Sequence, residues 1–301
     1  MGAIQKYYCK KCQKYFSERR FPGTKHPPRV IFSAITLYNL GHTLSSVSEE
    51  LRKRHHVIVT PSTVHSWIIR YSDVCNFQYM RRKYTLDPAK AILSRRFEHE
   101  QVYYFRMHAL KTNIIGKSQP GLGGYLYDLI KGKVPKGFGS GKRCSEAAKL
   151  GLLPSITTRS VAGSIAPVLC EMGLETAAHN RQRHDAVERF FLINDSATVA
   201  CEVPVYASAE EIAKVIPDWS GGKLHGHIDI LQNRGGNIVI MDYKPEMADE
   251  RFFTSQLALY ALLLSIRTGV PIDLMKCGYF NERVSKEFYP ANALGKGLVR
   301  P

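Results

Sequence analysis

Three residues of this 301-residue chain have types and spacing suited to chemistry on a phosphate: Asp229, Asp242 and Lys244. Asp229 sits in Gly226-His227-Ile228-Asp229-Ile230-Leu231, which reads as a strand. Gly235-Gly236-Asn237 is a hairpin signal, and Ile238-Val239-Ile240-Met241 is a β-branched run suited to a buried strand. Asp242 and Lys244, two apart as that strand ends, share one face. A hairpin therefore brings Asp229 and Asp242 together with Lys244 beside them. Two converging carboxylates repel unless a cation lies between them. A few oxygen ligands with room for water and phosphate suit Mg2+ or Mn2+. A lysine beside such a metal can position or deprotonate an attacking water.

Other elements must place groups around this centre. Gln256 and Tyr260, one helical turn apart, would face the site, contacting a DNA strand or holding Lys244. Upstream, Ala178-His179-Asn180 leads into a helix on which His184 and Glu188 share a face, and Thr198–Val205 reads as a strand. Helix, strand, strand, Asp, hairpin, Asp-x-Lys, helix is an α/β order with a mixed sheet.

The net charge of +16 is uneven. Residues 1–84 carry 15 Lys/Arg against 4 Asp/Glu, residues 85–180 carry 13 against 7, and residues 181–301 carry 14 against 15. A polyanion-binding front end attached to a near-neutral domain follows, with DNA as the expected partner. The longest apolar run, Leu257–Ile266, is well short of the ~20 residues that cross a membrane. Seven scattered cysteines argue against a disulfide framework and for a reducing, cytoplasmic, nucleoid-associated location.

Cys9 and Cys12 form a Cys-x-x-Cys knuckle, two of the four ligands a structural Zn2+ needs. We expect a partial zinc ribbon over residues 1–22, its missing half lying upstream. Residues 23–84 read as three helices. The first has an apolar face of Val30, Ile31, Ala34, Ile35, Leu37 and Tyr38; the second is capped by Thr43; the third begins in Thr60-Pro61-Ser62, with Thr60 or Ser62 as its cap and Pro61 in its first turn. This is a helix-turn-helix arrangement in which Ser62, Thr63, His65 and Ser66 face the major groove, and Arg52, Lys53 and Arg54 approach phosphates. Such modules often pair on DNA, so a homodimer is compatible. Residues 85–150 are expected to be a basic helical and loop connector, with Glu98-His99-Glu100-Gln101 on a solvated helix face. A last domain is expected over 151–301.

Two resemblances follow from these motifs. Tyr8-Cys9-x-x-Cys12, Ala34–Gly41 and Pro61-Ser62-Thr63-Val64-x-x-Trp67-Ile68 resemble the front end of certain insertion-sequence transposases, which implies binding to a particular DNA sequence. Residues from about 175 to 290 resemble PD-(D/E)XK nucleases of the RecB-like group, through His184, Glu202–Val205, Gly226-x-x-Asp229, Asp242-x-Lys244 and Gln256-x-x-x-Tyr260. That resemblance implies a restriction-endonuclease-like mixed β-sheet flanked by helices, α/β in class and α+β over the whole chain. It also implies metal ligation by His184, Asp229, Asp242 and the Tyr243 carbonyl, with His179 or Glu188 as alternatives to His184. The expected activity is metal-dependent hydrolysis of DNA phosphodiesters, with catalytic Asp229, Asp242, Lys244, Gln256 and Tyr260. A transposition or integration protein and a DNA-binding regulator with an inactive nuclease domain are the alternatives. Cys277 alone lies near the region where some relatives hold an iron–sulfur cluster, so none is expected.

Overall fold

The computed structural model describes residues 6–9, 13–17, 21, 25–99, 101–151, 153, 156–216, 219–247 and 249–294. Cys12 and the side chain of Cys9 lie outside the described residues, and the zinc expectation with them. The adjoining backbone forms a small hairpin of β1 (Lys6–Cys9) and β2 (Lys14–Ser17).

Three helices follow where their start signals predict. Pro28 opens α1 (Pro28–Leu40), Thr43 accepts a hydrogen bond from Ser46 N at 3.2 Å to cap α2 (Leu44–His55), and Thr60 accepts one from Thr63 N at 3.2 Å to cap α3 (Pro61–Arg70). Ser62, His65 and Ser66 are exposed on α3, and Thr63 is half-buried beneath the cap. A short α4 (Phe77–Arg81) completes the front end.

The remainder is built on one mixed sheet with helices on both faces. Its strands are β3 (Ile92–His99), β4 (Gln101–His108), β5 (Lys142–Arg143), β6 (Arg159–Ser160), β7 (Thr198–Ala207), β8 (Leu224–Arg234), β9 (Asn237–Tyr243), β10 (Met275–Phe280) and β11 (Ser285–Phe288). They lie in the order β3-β4-β7-β8-β9-β10-β11-β6, with β5 beside β8. The helices are α5 (Ala109–Ser118), α6 (Pro120–Ile130), α7 (Cys144–Lys149), α8 (Ala166–Thr176), α9 (Arg183–Asn194), α10 (Ala209–Ala213), α11 (Glu250–Thr268) and α12 (Ala291–Leu294). The β8–β9 turn is the expected hairpin: Gly235 and Gly236 have φ of 58° and 84°, a conformation costly for side-chain-bearing residues. Strands β9 and β10 run parallel, which requires a crossover, and α11 supplies it.

Residues 85–150 are not a connector. Their first half forms the β3–β4 hairpin, which adds to the sheet through Arg106↔Cys201 and Met107↔Ala200; α5, α6 and α7 cover the α11 face. Glu98 and His99 end β3 and Gln101 begins β4, so this stretch is a hairpin end and not a helix face. Outer-edge strands bury only part of each face, so their apolar residues do not alternate cleanly. The sheet therefore draws on residues N-terminal to the boundary expected at 151.

The front helices do not stand apart either. Val30, Ile31, Phe32, Ile35, Leu51 and Trp67 share one apolar core with Leu169, Val187, Phe190 and Phe191 of α8 and α9, and with Ile230, Met241 and Tyr243 of the sheet. Asn39 donates to Asn194 Oδ1 at 2.9 Å, and Asn194 donates to Thr36 Oγ1 at 3.0 Å. These buried bonds fix α1 on α9 in one register, because leaving either amide unpaired would cost about 1–3 kcal/mol.

Candidate metal and catalytic site

The β8–β9 register pairs Ile230 with Met241, so the next position along sets Asp229 beside Asp242. Asp229 is held from two sides. His184 Nε2 lies 2.8 Å from its Oδ2, and the Tyr243 backbone N–H donates to the same oxygen at 3.1 Å. A strand residue's N–H and C=O leave on one edge, so the Tyr243 carbonyl also faces this side. Lys244 Nζ lies 2.7 Å from Asp242 Oδ2 and 5.3 Å from the centre of the Phe253 ring. The pairing of Asp242 with Lys244 is what their two-residue spacing predicts.

The helix-borne group is not a choice between His184 and Glu188, because α9 delivers both. Ligand atoms of His184, Glu188 and Asp229 lie within 4.8 Å of one another. His179 is exposed and precedes α9. Glu188 is 2 % exposed, and its Oε1 has no hydrogen-bond partner in the structure. A buried carboxylate oxygen left unpaired, aimed at a second carboxylate and an imidazole, is a set of donors that a small divalent cation satisfies. The residues fit Mg2+ or Mn2+.

A further carboxylate comes from β7. Glu202 has φ of 50°, in the left-handed region that a side-chain-bearing residue enters only under constraint. The side-chain alternation breaks there while the register to β8 is kept: Cys201 packs in the core with α9, whereas Val203 packs in the core with α11. Arg106 on β4 lies at the rim, 2.7 Å from Asp185 of α9. Motif spacing did not flag Arg106 or Asp185, and Glu202 stood only as part of a strand match. A charged residue in the otherwise apolar run Val199–Val205 is the signal that marks Glu202.

The electrostatics describe crowded negative charge. Burial, then the charges of Glu202 and Asp229, push the Glu188 carboxyl well up. Burial and the Asp229 charge raise Glu202 to about 8. Asp242 is pushed well up by burial and by Asp229, with Lys244 opposing only in part. Burial would raise Asp229 as well, but the His184 charge and hydrogen bond, the Asp242 hydrogen bond and Lys244 hold it below the usual carboxylate range. Burial works against the His184 imidazolium, yet Asp229 outweighs it and raises His184 to about 9. Burial likewise disfavours the Lys244 ammonium, and the charges of Asp242 and Asp229 reverse that and raise its pKa. Crowding thus disfavours the charged forms of Glu188, Glu202 and Asp242, a repulsion that a divalent cation among them relieves.

Residues 151–291 match the sequence model of the PD-(D/E)XK nuclease superfamily.

Searches of curated proteins and of solved structures returned no match. The segment matching PD-(D/E)XK nucleases carries His184, Glu188, Glu202, Asp229, Asp242 and Lys244, and the mixed sheet is consistent with the restriction-endonuclease-like fold. Arg106 and the β3–β4 hairpin lie outside the matched segment. Among the described residues no helix is long and apolar enough to cross a membrane.

Gln256 and Tyr260 take a different position from the one expected. Both are buried behind the carboxylates, and Gln256 Nε2 donates to Tyr260 Oη at 2.8 Å, so the pair holds itself and not Lys244. Tyr260 explains Gly226. A Cβ on Gly226 would lie 2.4 Å from Tyr260 Cε1, so only glycine lets the ring pack against β8 three residues before Asp229. Gly226→Ala is expected to destabilise the fold by about 2 kcal/mol through overpacking. Tyr260→Leu should recover part of that loss in the double variant. Chemical denaturation of the two single variants and the double variant checks this, and additive losses would mean that Gly226 and Tyr260 do not meet.

Proposed function

We propose that the protein is a divalent-metal-dependent DNA nuclease that hydrolyses phosphodiester bonds. The observation that carries this reading is the convergence of His184, Glu188 and Asp229 beside the Asp242–Lys244 pair. His184, Glu188, Asp229 and Asp242 would hold Mg2+ or Mn2+, with the Tyr243 carbonyl as an added oxygen. When bound, the ion supplies a Lewis acid for the phosphoryl oxygens and lowers the pKa of a coordinated water.

The chain's own groups do the rest. The charges of Asp242 and Asp229 favour the Lys244 ammonium, which can donate hydrogen bonds to the attacking water or to a phosphoryl oxygen. The Phe253 ring excludes solvent from one side of the ammonium, which strengthens those bonds. Gln256 and Tyr260 position β8 from behind. RecB-like membership, a transposase-like origin of the front end and reading of a DNA sequence by Ser62, Thr63, His65 and Ser66 extend this proposal on sequence motifs. The exposure of the α3 polar face supports the last of these.

Labelled linear and circular DNAs, single- and double-stranded, incubated with Mg2+, Mn2+ or EDTA, test the reading. Cleavage with either metal and none in EDTA is the expected result. DNA left intact under every metal condition would refute it.

A further inference from the structure

Where α1 and α2 rest against α9 they leave a cleft of about 420 Å3, within the range of small-ligand sites. Arg29 and Ser33 of α1, Arg54 and His55 of α2, and Asp185 and Arg189 of α9 line it. Residues 185, 186, 189, 190 and 193 form its α9 wall, one face of the helix. His184 and Glu188 lie about 150° around the same helix from the middle of that wall, with Asp185 at the edge between them. The cleft and the carboxylate centre are thus two faces of one element.

The cleft is short of negative charge. Asp185 is 2.7 Å from Arg106 and 4.0 Å from Arg189, and Arg54 is paired with Glu50 at 2.8 Å. Arg29 pairs with no carboxylate among the described residues. Three guanidiniums, those of Arg29, Arg54 and Arg189, therefore line the cleft beside one carboxylate, Asp185, which is itself held by Arg106 from outside it. His55 registers the resulting field: burial first, then Arg29 and Arg54, lower its pKa, and its Nε2 meets Ser33 Oγ at 3.1 Å. Arginines converging with a hydroxyl suit a phosphate oxygen fork. The cleft is also near enough to serve the same strand. From Arg189 to His184 is five residues of helix, about 7.5 Å along the axis and about 140° around it, so a strand joining the two passes around α9 over a few nucleotides.

We propose that this cleft is a phosphate subsite seating the backbone of the DNA strand a few nucleotides from the carboxylate centre, so that α1 and α2 form one wall of the substrate channel. The proposal rests on the nuclease reading for its substrate, and its test separates the two. Fluorescence anisotropy in EDTA measures the affinity of a labelled single-stranded oligonucleotide and a duplex for the full chain and for Arg29→Gln and Arg29→Glu variants. Arg29 is exposed, so both variants are expected to fold, and their thermal unfolding is checked alongside. Arg29→Glu should raise Kd about tenfold and lower the salt slope by about one. In Mg2+ it should raise KM and leave kcat unchanged. Unchanged Kd and slope in both folded variants would overturn the subsite. So would an Arg29 effect confined to free dAMP with DNA affinity intact, since the cleft would then serve a mononucleotide. If Asp242→Asn still cuts DNA while the Arg29 variants bind it poorly, the catalytic assignment falls and the cleft stands.

Discussion

Asp242→Asn and Lys244→Met should each lower the DNA cleavage rate by about 10^3-fold while leaving DNA affinity in EDTA unchanged. The two changes act differently. Asp242→Asn keeps the shape of the side chain but removes a carboxylate from the metal site, so part of its loss should return at high Mn2+. Lys244→Met keeps the length of the stem against the Phe253 ring, which the ammonium overlies at 5.3 Å, and removes only the charge. No metal concentration should rescue it. Steady-state cleavage across a Mn2+ titration separates these outcomes. Cleavage at the parent rate in both variants would remove the Asp242–Lys244 pair from the chemistry.

The largest expected effect on stability lies away from the site. The Lys111 ammonium is 2 % exposed and donates to the carbonyls of Leu192 at 2.5 Å, Asp195 at 2.6 Å and Thr198 at 3.0 Å, with the Phe77 ring centre 4.5 Å away. It closes the C-terminal end of α9, where the helix leaves carbonyls without internal partners and its dipole is negative. Lys111→Met fills the same volume and leaves three buried carbonyls short of a donor. We expect a loss of about 3 kcal/mol, seen as a lower urea midpoint. Arginine should not restore it, because a planar guanidinium cannot converge on three acceptors as an ammonium does. A Met variant within about 0.5 kcal/mol of the parent would mean that the carbonyls find other partners.

The parts of the fold legible in the sequence are those where local chemistry decides. Thr43 and Thr60 cap helices because their side chains reach amides three residues on. Gly235-Gly236 turns the hairpin because two successive positive φ values are needed there. Asp242 and Lys244 pair because strand alternation puts them on one face. What was not legible depends on distant packing. Nothing in residues 85–150 announces that β3–β4 joins a sheet whose next strand begins at Thr198. The buried role of Gln256 and Tyr260 follows from a glycine thirty residues earlier, across the sheet. Glu202 joins the acidic cluster through a backbone irregularity that strand periodicity alone does not foretell.

The polar stitch of Thr36, Asn39 and Asn194 beneath the shared apolar core has a consequence for the architecture as a whole. The front helices are not a detachable address label carried ahead of a blade. They are the lining of the sheath, and a chain cut after residue 84 would expose the apolar backs of α8 and α9 to water. Under the proposed function, DNA held by the front helices would be presented at a constant distance and angle from the carboxylates. Selectivity in such a nuclease would come from rigid geometry, as in a gauge, and not from the reach of a tether.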